Sequence, residues 1–286
     1  MSYEQIIYEP GPVARIILNR PEVNNAQSRV LLDEMDDAFN RANDDRGVHV
    51  VVLSGNGRHF SSGHDLGTEA ELIDRATHGY ETERPGSYDQ LRDLNLSNTL
   101  RWRNFPKPTV AMVHGYCIYG GWMIASAMDV IFASDDARFL PAHNQYFGVP
   151  WDLGARKTKE LLFQNRFLTA RDAEAVGFVN RVYRRDDLER ETLAYAEEVA
   201  STSPMHNRQV KFSVNNMLDA QGFTAHVTAA FQTYAMNASN LGPPTGSLAA
   251  EGTARRLEGV AGALAKLKQG RTAFSDYPLD PEDPVP

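Results

Sequence analysis

The sequence predicts an α/β protein with a helical C-terminal region. Apolar runs typical of buried strands alternate with segments of helical spacing as far as residue 202, and from Ser203 onward the spacing is helical only. Strands that alternate with helices indicate a sheet covered by helices. The chain has 286 residues, of which 42% are hydrophobic, so it is long enough to bury a large core.

The strands and helices are predicted in chain order from hydrophobic periodicity. Short β-branched and aliphatic runs predict strands at 13–18, 48–53, 109–113, 129–134, 137–140 and 178–183. Apolar residues at helical spacing predict helices after Ser28, which is a suitable N-cap, and at 122–128, 155–164, 170–176, 186–201, 203–219, 222–239 and 254–268. Residues 68–104 are polar and charged, and we expect a mobile excursion with one or two helices there.

Three regions follow from this order of elements. Residues 1–202 are expected to form the α/β core. Residues 203–275 are expected to form a helical oligomerisation region, because they offer no evident strand to pair with the sheet. Residues 276–286 are rich in Pro and Asp and are predicted to be disordered.

Composition narrows the class of partner and the compartment. The 29 Lys and Arg residues are outnumbered by 37 Asp and Glu, which gives a net charge of −8 without long blocks of like charge. Such a chain is not expected to bind nucleic acid or an anionic membrane. Cys117 is the only cysteine, which excludes a disulfide framework and suits a reducing compartment. No apolar run approaches the roughly 18 residues of a membrane span, so a cytoplasmic globular protein is predicted.

Two glycine-containing turns follow predicted strands. "FSSGHDL" (60–66) comes after the strand at 48–53, and "HGYCIYGG" (114–121) comes after the strand at 109–113. A turn that leads from a strand into a helix leaves backbone N–H groups unpaired. Two such turns, brought together, can hold one negatively charged oxygen. The sequence therefore predicts an oxyanion site.

Five segments, in this order and spacing, resemble the crotonase (enoyl-CoA hydratase/isomerase) superfamily. They are "LNRPEVNNAQS", "FSSGHDL", "PKPTVAMVHGYCIYGG", "DVIFASDDARF" and "LTARDAEAVGFVNRV". "SSGHDLG" and "PWDLGARKTKELLF" further resemble a hydratase-like group common in actinobacteria. The resemblance implies a crotonase-like spiral of β-β-α turns, assembly as trimers or hexamers, and an enolate formed on an acyl-CoA thioester.

The resemblance also implies the site residues. The backbone N–H groups of His64 and Gly120 correspond to the family's oxyanion hole. The candidates for substrate binding are Asp65, Leu66, Gly67, Tyr119, Met123, Tyr146 and Trp151. Among them, Asp65 is better suited to a structural turn or cap. The three aromatic residues either line the acyl pocket or fill the core.

The sequence departs from hydratases of this family at the acid/base positions. The two glutamates that hold the water correspond here to Met123 and His143. His143 and Asp152 are therefore the predicted catalytic pair, because a carboxylate can orient a histidine that acts as a base. Their spacing resembles the dyad of 6-oxocamphor hydrolase, a superfamily member that cleaves a C–C bond between two carbonyls. Alternatively, Asp152 caps a helix that begins near Gly154.

Three functions stay open on the sequence. The first is an enoyl-CoA hydratase-like enzyme without the usual glutamate pair. The second is hydrolytic cleavage of a C–C bond in a β-dicarbonyl substrate by His143 and Asp152, and the third is a catalytically silent binding or assembly subunit. No metal is predicted, and no cofactor beyond the coenzyme A of the substrate. The predicted partners are an acyl-CoA or small carbonyl substrate and further copies of the chain, in a homotrimer or hexamer.

Overall fold

The computed structural model describes residues 3–78, 88–89, 91–236 and 247–274. Within these ranges, nine strands form one six-stranded and one three-stranded sheet, and helices pack around them. From residue 204 to the end of the described ranges, the regular elements are helices. The mixed α/β fold with a helical C-terminal region is therefore confirmed.

The strands form a largely parallel sheet with a small second sheet beside it. In chain order they are β1 (Ile6–Glu9), β2 (Val13–Leu18), β3 (Val50–Gly55), β4 (Thr109–Val113), β5 (Tyr116–Ile118), β6 (Val130–Ser134), β7 (Arg138–Leu140), β8 (Leu168–Thr169) and β9 (Arg181–Tyr183). The larger sheet has the order β1-β2-β3-β4-β6-β9, and only the β1–β2 pair is antiparallel. The smaller sheet has the order β5-β7-β8. Strands β3 and β4 are buried at every position, as central parallel strands covered on both faces should be.

The helices cover the sheets and continue beyond them. They are α1 (Arg29–Asp44), α2 (Glu69–Thr77), α3 (Asn98–Arg103), α4 (Gly120–Ser126), α5 (Val149–Leu153), α6 (Ala155–Gln164), α7 (Ala170–Ala175), α8 (Leu188–Ala200), α9 (Pro204–Ala220), α10 (Phe223–Ala235) and α11 (Ser247–Lys268). A π-helical segment, Arg92–Ser97, leads directly into α3, and a short 3₁₀ turn spans Pro21–Val23. Helix α1 begins where the sequence predicts, because the Ser28 hydroxyl accepts a hydrogen bond from the Leu31 N–H.

Several elements differ from the prediction in their bounds, and others were not predicted. The strand predicted at 178–183 begins only at Arg181, because the N–H groups of Phe178 and Val179 donate to the Ala173 carbonyl and close the end of α7. Strands β1, β5 and β8 and helix α5 are additions that the periodicity did not predict. Within the excursion predicted at 68–104 lie α2, the π-helical segment and α3, whereas residues 79–87 and 90 fall outside the described ranges. Residues 237–239, the end of the helix predicted at 222–239, also fall outside the described ranges. So does the tail at 276–286, which was predicted to be disordered.

The C-terminal helices pack back onto the body of their own chain. Arg103 pairs with Asp219 on α9 at 3.2 Å, and Lys211 on the same helix pairs with Asp129 at 2.8 Å. The Lys266 ammonium on α11 donates to the Gln164 carbonyl at 2.7 Å. Oligomerisation through residues 203–275 stays a prediction. None of the described helices is both long and apolar enough to cross a membrane.

Candidate active site

The two glycine turns lie side by side. The Ser61 N–H donates to the Tyr116 carbonyl and the Ile118 N–H donates to the Ser61 carbonyl, so the segments are paired like adjacent strands. Gly63 has a φ of +92°, and a Cβ there would lie 2.7 Å from the Ile118 carbonyl oxygen and 3.2 Å from the Gly120 nitrogen. Only glycine allows both this backbone conformation and this close approach.

Both N–H groups of the predicted oxyanion hole are unpaired within the described part of the chain. Gln27 pairs in parallel with His64: its N–H donates to the Gly63 carbonyl and its carbonyl accepts from the Asp65 N–H. In a parallel ladder this pattern leaves the N–H of the intervening residue, His64, directed away from Gln27. Gly120 is the first residue of α4, so its N–H has no acceptor within that helix. The adjoining turns thus each carry one N–H group without an acceptor among the described residues.

The backbone around Gly120 is tightly enclosed. A Cβ on Gly120 would lie 2.4 Å from the Gln27 side-chain oxygen and 3.0 Å from the His64 ring. The Gln27 side chain is buried, and its Oε1 has no hydrogen-bond partner among the described residues. Tyr119 has the unusual conformation φ 48°, ψ −100°, and its ring packs beside Gly259 of α11. A non-glycine residue in such a conformation is strained and persists only where its surroundings hold it.

The His64 imidazole is neutral at pH 7. Burial lowers the pKa of His64 to about 4, and the positive charge of Arg256 acts in the same direction. The His64 Nε2 lies 3.1 Å from the Gln145 side-chain oxygen. With the Gln145 amide oxygen on this side, the contact suits the tautomer that carries its proton on Nε2. This imidazole lies beside the Gly120 backbone, 3.0 Å from where a Cβ of Gly120 would be.

The predicted pair of His143 and Asp152 does not form. The Asp152 carboxylate accepts hydrogen bonds from the Trp122 indole N–H at 2.9 Å and from the Ser126 hydroxyl at 2.8 Å, and these donors direct it toward α4. The His143 side chain is exposed, with its ring against Phe147 at a centroid distance of 4.7 Å. In the described part of the chain no hydrogen bond or ion pair joins the two residues. The dyad stays a prediction, and the contacts of these two residues do not support it.

Asp152 is nevertheless a carboxyl group with a pKa near neutrality, as an acid/base residue needs. Burial raises the pKa of Asp152 to about 7, although the hydrogen bonds from Trp122 and Ser126 oppose that rise. Both donors project from one side of α4, because they are four residues apart, and α4 begins with Gly120. Asp152 does not cap α6, since that helix begins at Ala155 and its N-cap, Gly154, is without a side-chain cap hydrogen bond.

Three of the substrate-binding candidates belong to one apolar cluster. Met123 and Tyr146 are buried in it, and Trp151 packs against it. The other buried members are Leu96, Phe223, Val227, Phe231 and Ala235. The Trp151 indole N–H donates to His226 at 3.0 Å, which fixes that ring at the edge of the cluster. The structure thus brings these candidates together next to α4.

Asp65 stabilises the turn that carries His64. Burial disfavours its ionisation, but hydrogen bonds from Thr68, Gly67 and Arg20 outweigh that effect and lower the pKa of Asp65. The Arg20 guanidinium pairs with it at 2.9 Å. These bonds to the carboxylate favour the structural alternative for Asp65. Contact of Leu66 and Gly67 with a substrate stays a prediction.

His114, at the start of the second turn, and Cys117 are both buried. His114 lies 3.1 Å from the Gly57 carbonyl, and burial lowers the pKa of this histidine to about 4. Cys117 is buried in β5, and burial raises the pKa of its thiol.

Gln27, Trp122 and Ser126 are neighbours of the site that the sequence reasoning did not single out. The only signals available were the position of Gln27 in a family-like segment and the four-residue spacing of Trp122 and Ser126.

Comparisons with known proteins agree with this fold. The family described as Enoyl-CoA hydratase/isomerase matches residues 9–240, a range that includes both glycine turns. A relative from Mycobacterium tuberculosis, "Putative enoyl-CoA hydratase EchA13", is 36% identical over 274 residues, which are 88% of this chain and 86% of the relative. A probable enoyl-CoA hydratase of Mycobacterium smegmatis is 42% identical, with a TM-score of 0.74, over 82% of this chain and 94% of that one. An enoyl-CoA hydratase/isomerase from Xanthobacter autotrophicus Py2 is 28% identical, with a TM-score of 0.77, over 97% and 100%.

Proposed function

Because this chain belongs to the enoyl-CoA hydratase/isomerase family, we propose that it is an enzyme that binds an acyl-CoA thioester and stabilises its enolate. The observation that carries this proposal is the pair of adjoining N–H groups, of His64 and Gly120, without acceptors in the described part of the chain. When a thioester becomes an enolate, negative charge develops on its oxygen, and fixed donors aimed at that oxygen lower the barrier. Loss of one such donor typically costs about 10²–10³ in rate.

For proton transfer we propose Asp152, in place of the glutamate pair of the family's hydratases. In hydration of an enoyl thioester, its carboxylate takes a proton from water as the water oxygen bonds to the β-carbon. The electrons of the C=C bond move toward the thioester oxygen, and the proton is then delivered to the α-carbon. A pKa of about 7 suits both halves of this exchange, because the group gains and loses a proton at neutral pH.

A second candidate is a subunit that binds acyl-CoA without turning it over. It is favoured by Met123, a buried side chain that cannot transfer a proton, at the position of the first family glutamate. The C–C hydrolase alternative depended on the pair of His143 and Asp152 and loses its support with that pair. The single buried Cys117 supports a reducing compartment such as the cytoplasm.

The proposal is tested with an enoyl-CoA substrate and a matched pair of glycine variants. In Gly120→Ala the new methyl group meets Gln27 and the His64 ring, so we expect the oxyanion site to distort and the rate to fall by about 10²–10³. Gly262→Ala is the control, because nothing lies within 4 Å of a Cβ at that position on α11. Product is identified by mass spectrometry. A Gly120→Ala enzyme as active as wild type contradicts the oxyanion role, and acyl-CoA binding without any product identifies the silent subunit.

A further inference from the structure

The apolar side of the site is closed by two buried side chains. Met123 is 3% exposed and Tyr146 is 2% exposed, and both lie in the cluster that includes Leu96 and Phe231. An open acyl tunnel would leave such side chains accessible along its wall. Here they are covered by the π-helical segment on one side and by α10 on the other.

This cluster is linked to both residues of the proposed oxyanion hole, to Gly120 through a shared helix and to His64 through a hydrogen bond. Met123 follows Gly120 by three residues on α4, a rise of about 4.5 Å. Tyr146 directly follows Gln145, whose side chain is hydrogen bonded to His64. A thioester held at His64 and Gly120 therefore has this wall within a few carbon–carbon bonds of its carbonyl.

The wall is held in place by contacts beyond itself. The Tyr146 and Phe223 rings lie 6.0 Å apart, and the Trp151 and Phe223 rings lie 5.3 Å apart in an edge-on arrangement. The Arg103 guanidinium covers Phe223 at 4.1 Å from the ring centroid. Because packed interiors resist displacement, a long acyl chain cannot push these rings aside at low cost.

We propose that Met123 and Tyr146 restrict the substrate to short acyl chains, because Met123 follows Gly120 by only three residues on α4 and both side chains are buried. The restriction rests on the proposed function, because it presumes that Gly120 holds the thioester oxygen. Each methylene that fails to find an apolar environment forgoes about fourfold in binding. Chain length is thus set by Met123, which stands at the position of the first family glutamate, and by Tyr146, which lies close in sequence to the position of the second, His143.

The test is the dependence of kcat/KM on chain length, with enoyl-CoA substrates of four, eight and twelve carbons. For wild type we expect kcat/KM to fall by at least about tenfold from four to eight carbons. Met123→Ala removes three heavy atoms from the wall, so the ratio of eight-carbon to four-carbon kcat/KM should rise by about tenfold or more. Met112→Ala is the matched control, since Met112 is also buried, 6% exposed, but lies on β4 in a different cluster. It should keep the wild-type ratio.

Two results overturn the restriction. One is a wild-type enzyme that uses the twelve-carbon substrate as efficiently as the four-carbon one, and the other is the same shift in both methionine variants. If Met123→Ala fails to fold, Tyr146→Leu and calorimetric binding of saturated acyl-CoAs by wild type supply the same comparison. Failure of the proposed function is distinguishable, because then no CoA thioester of any length is converted, whether or not it is bound.

Discussion

Asp152 is the residue on which the proposed proton transfer depends. Burial raises its pKa to about 7, so the carboxylate form that acts as a base predominates only above that pH. We expect kcat/KM to rise as pH increases through about 7 and then to level off. Asp152→Asn should lower the rate by about 10²–10⁴ and remove this dependence.

Ser126→Ala separates a catalytic role of Asp152 from a structural one. The Ser126 hydroxyl donates to the carboxylate and so lowers the pKa of Asp152. Without that donor the pKa rises, and the pH dependence of kcat/KM should move to higher pH while the enzyme stays active. An Asp152→Asn enzyme with wild-type rate and pH profile would show that the residue only holds α4 and α5 together.

The limits of sequence reasoning are clearest for these same residues. The two glycine turns after strands predict an oxyanion site, whereas the choice of His64 and Gly120 as its donors came from the family resemblance. The partner of Asp152 depends instead on tertiary packing. Its carboxylate meets Trp122 and Ser126, which are 30 and 26 positions away, and no spacing along the chain indicates this contact. The sequence paired it with His143, nine residues away, which the structure directs to the surface.

Among the elements, the turn at Gly63 follows β3 and packs against the segment that leads into α4. Gly63 and Gly177 have similar φ values, +92° and +85°, but only Gly63 is enclosed. Gly177→Ala should lower the free energy of unfolding by about 1–2 kcal/mol, from backbone strain alone. Gly63→Ala should lower it by at least about 1 kcal/mol more, because its Cβ would also meet the Ile118 carbonyl. Denaturant titration of both variants measures the difference.

Equal losses in the two glycine variants would mean that the turns can move apart without cost. In that case the contact between Gly63 and Gly120 would not fix the oxyanion site.

The length and periodicity of each element explain where its prediction succeeded. Long periodic segments such as α1 and β2 were predicted at nearly the right residues, because each has one buried face. Short elements such as β5 and α5 exist only through neighbours that are distant in sequence, and their few residues carry no period to detect.

At the scale of the whole molecule, α9 leaves large apolar side chains uncovered. The exposed ones are Met205, Val210, Phe212, Val214 and Met217. They lie on more than one side of α9. Packing of α9 against the body of its own chain therefore does not bury them all. Exposed apolar surface of this extent is typical of an interface between subunits. We therefore propose that the chain forms a homotrimer or hexamer through its C-terminal helices.

Phe212→Asp tests this assembly at the centre of α9. The side chain is 69% exposed, so a carboxylate there costs the isolated chain little but would be desolvated in an interface. We expect sedimentation equilibrium to give a trimer or hexamer for wild type and a smaller species for the variant. Phe163→Asp is the control: Phe163 is 84% exposed, but it lies on α6, outside the proposed region. A wild-type monomer at micromolar concentration, or equal dissociation in both variants, would remove the support for assembly through α9.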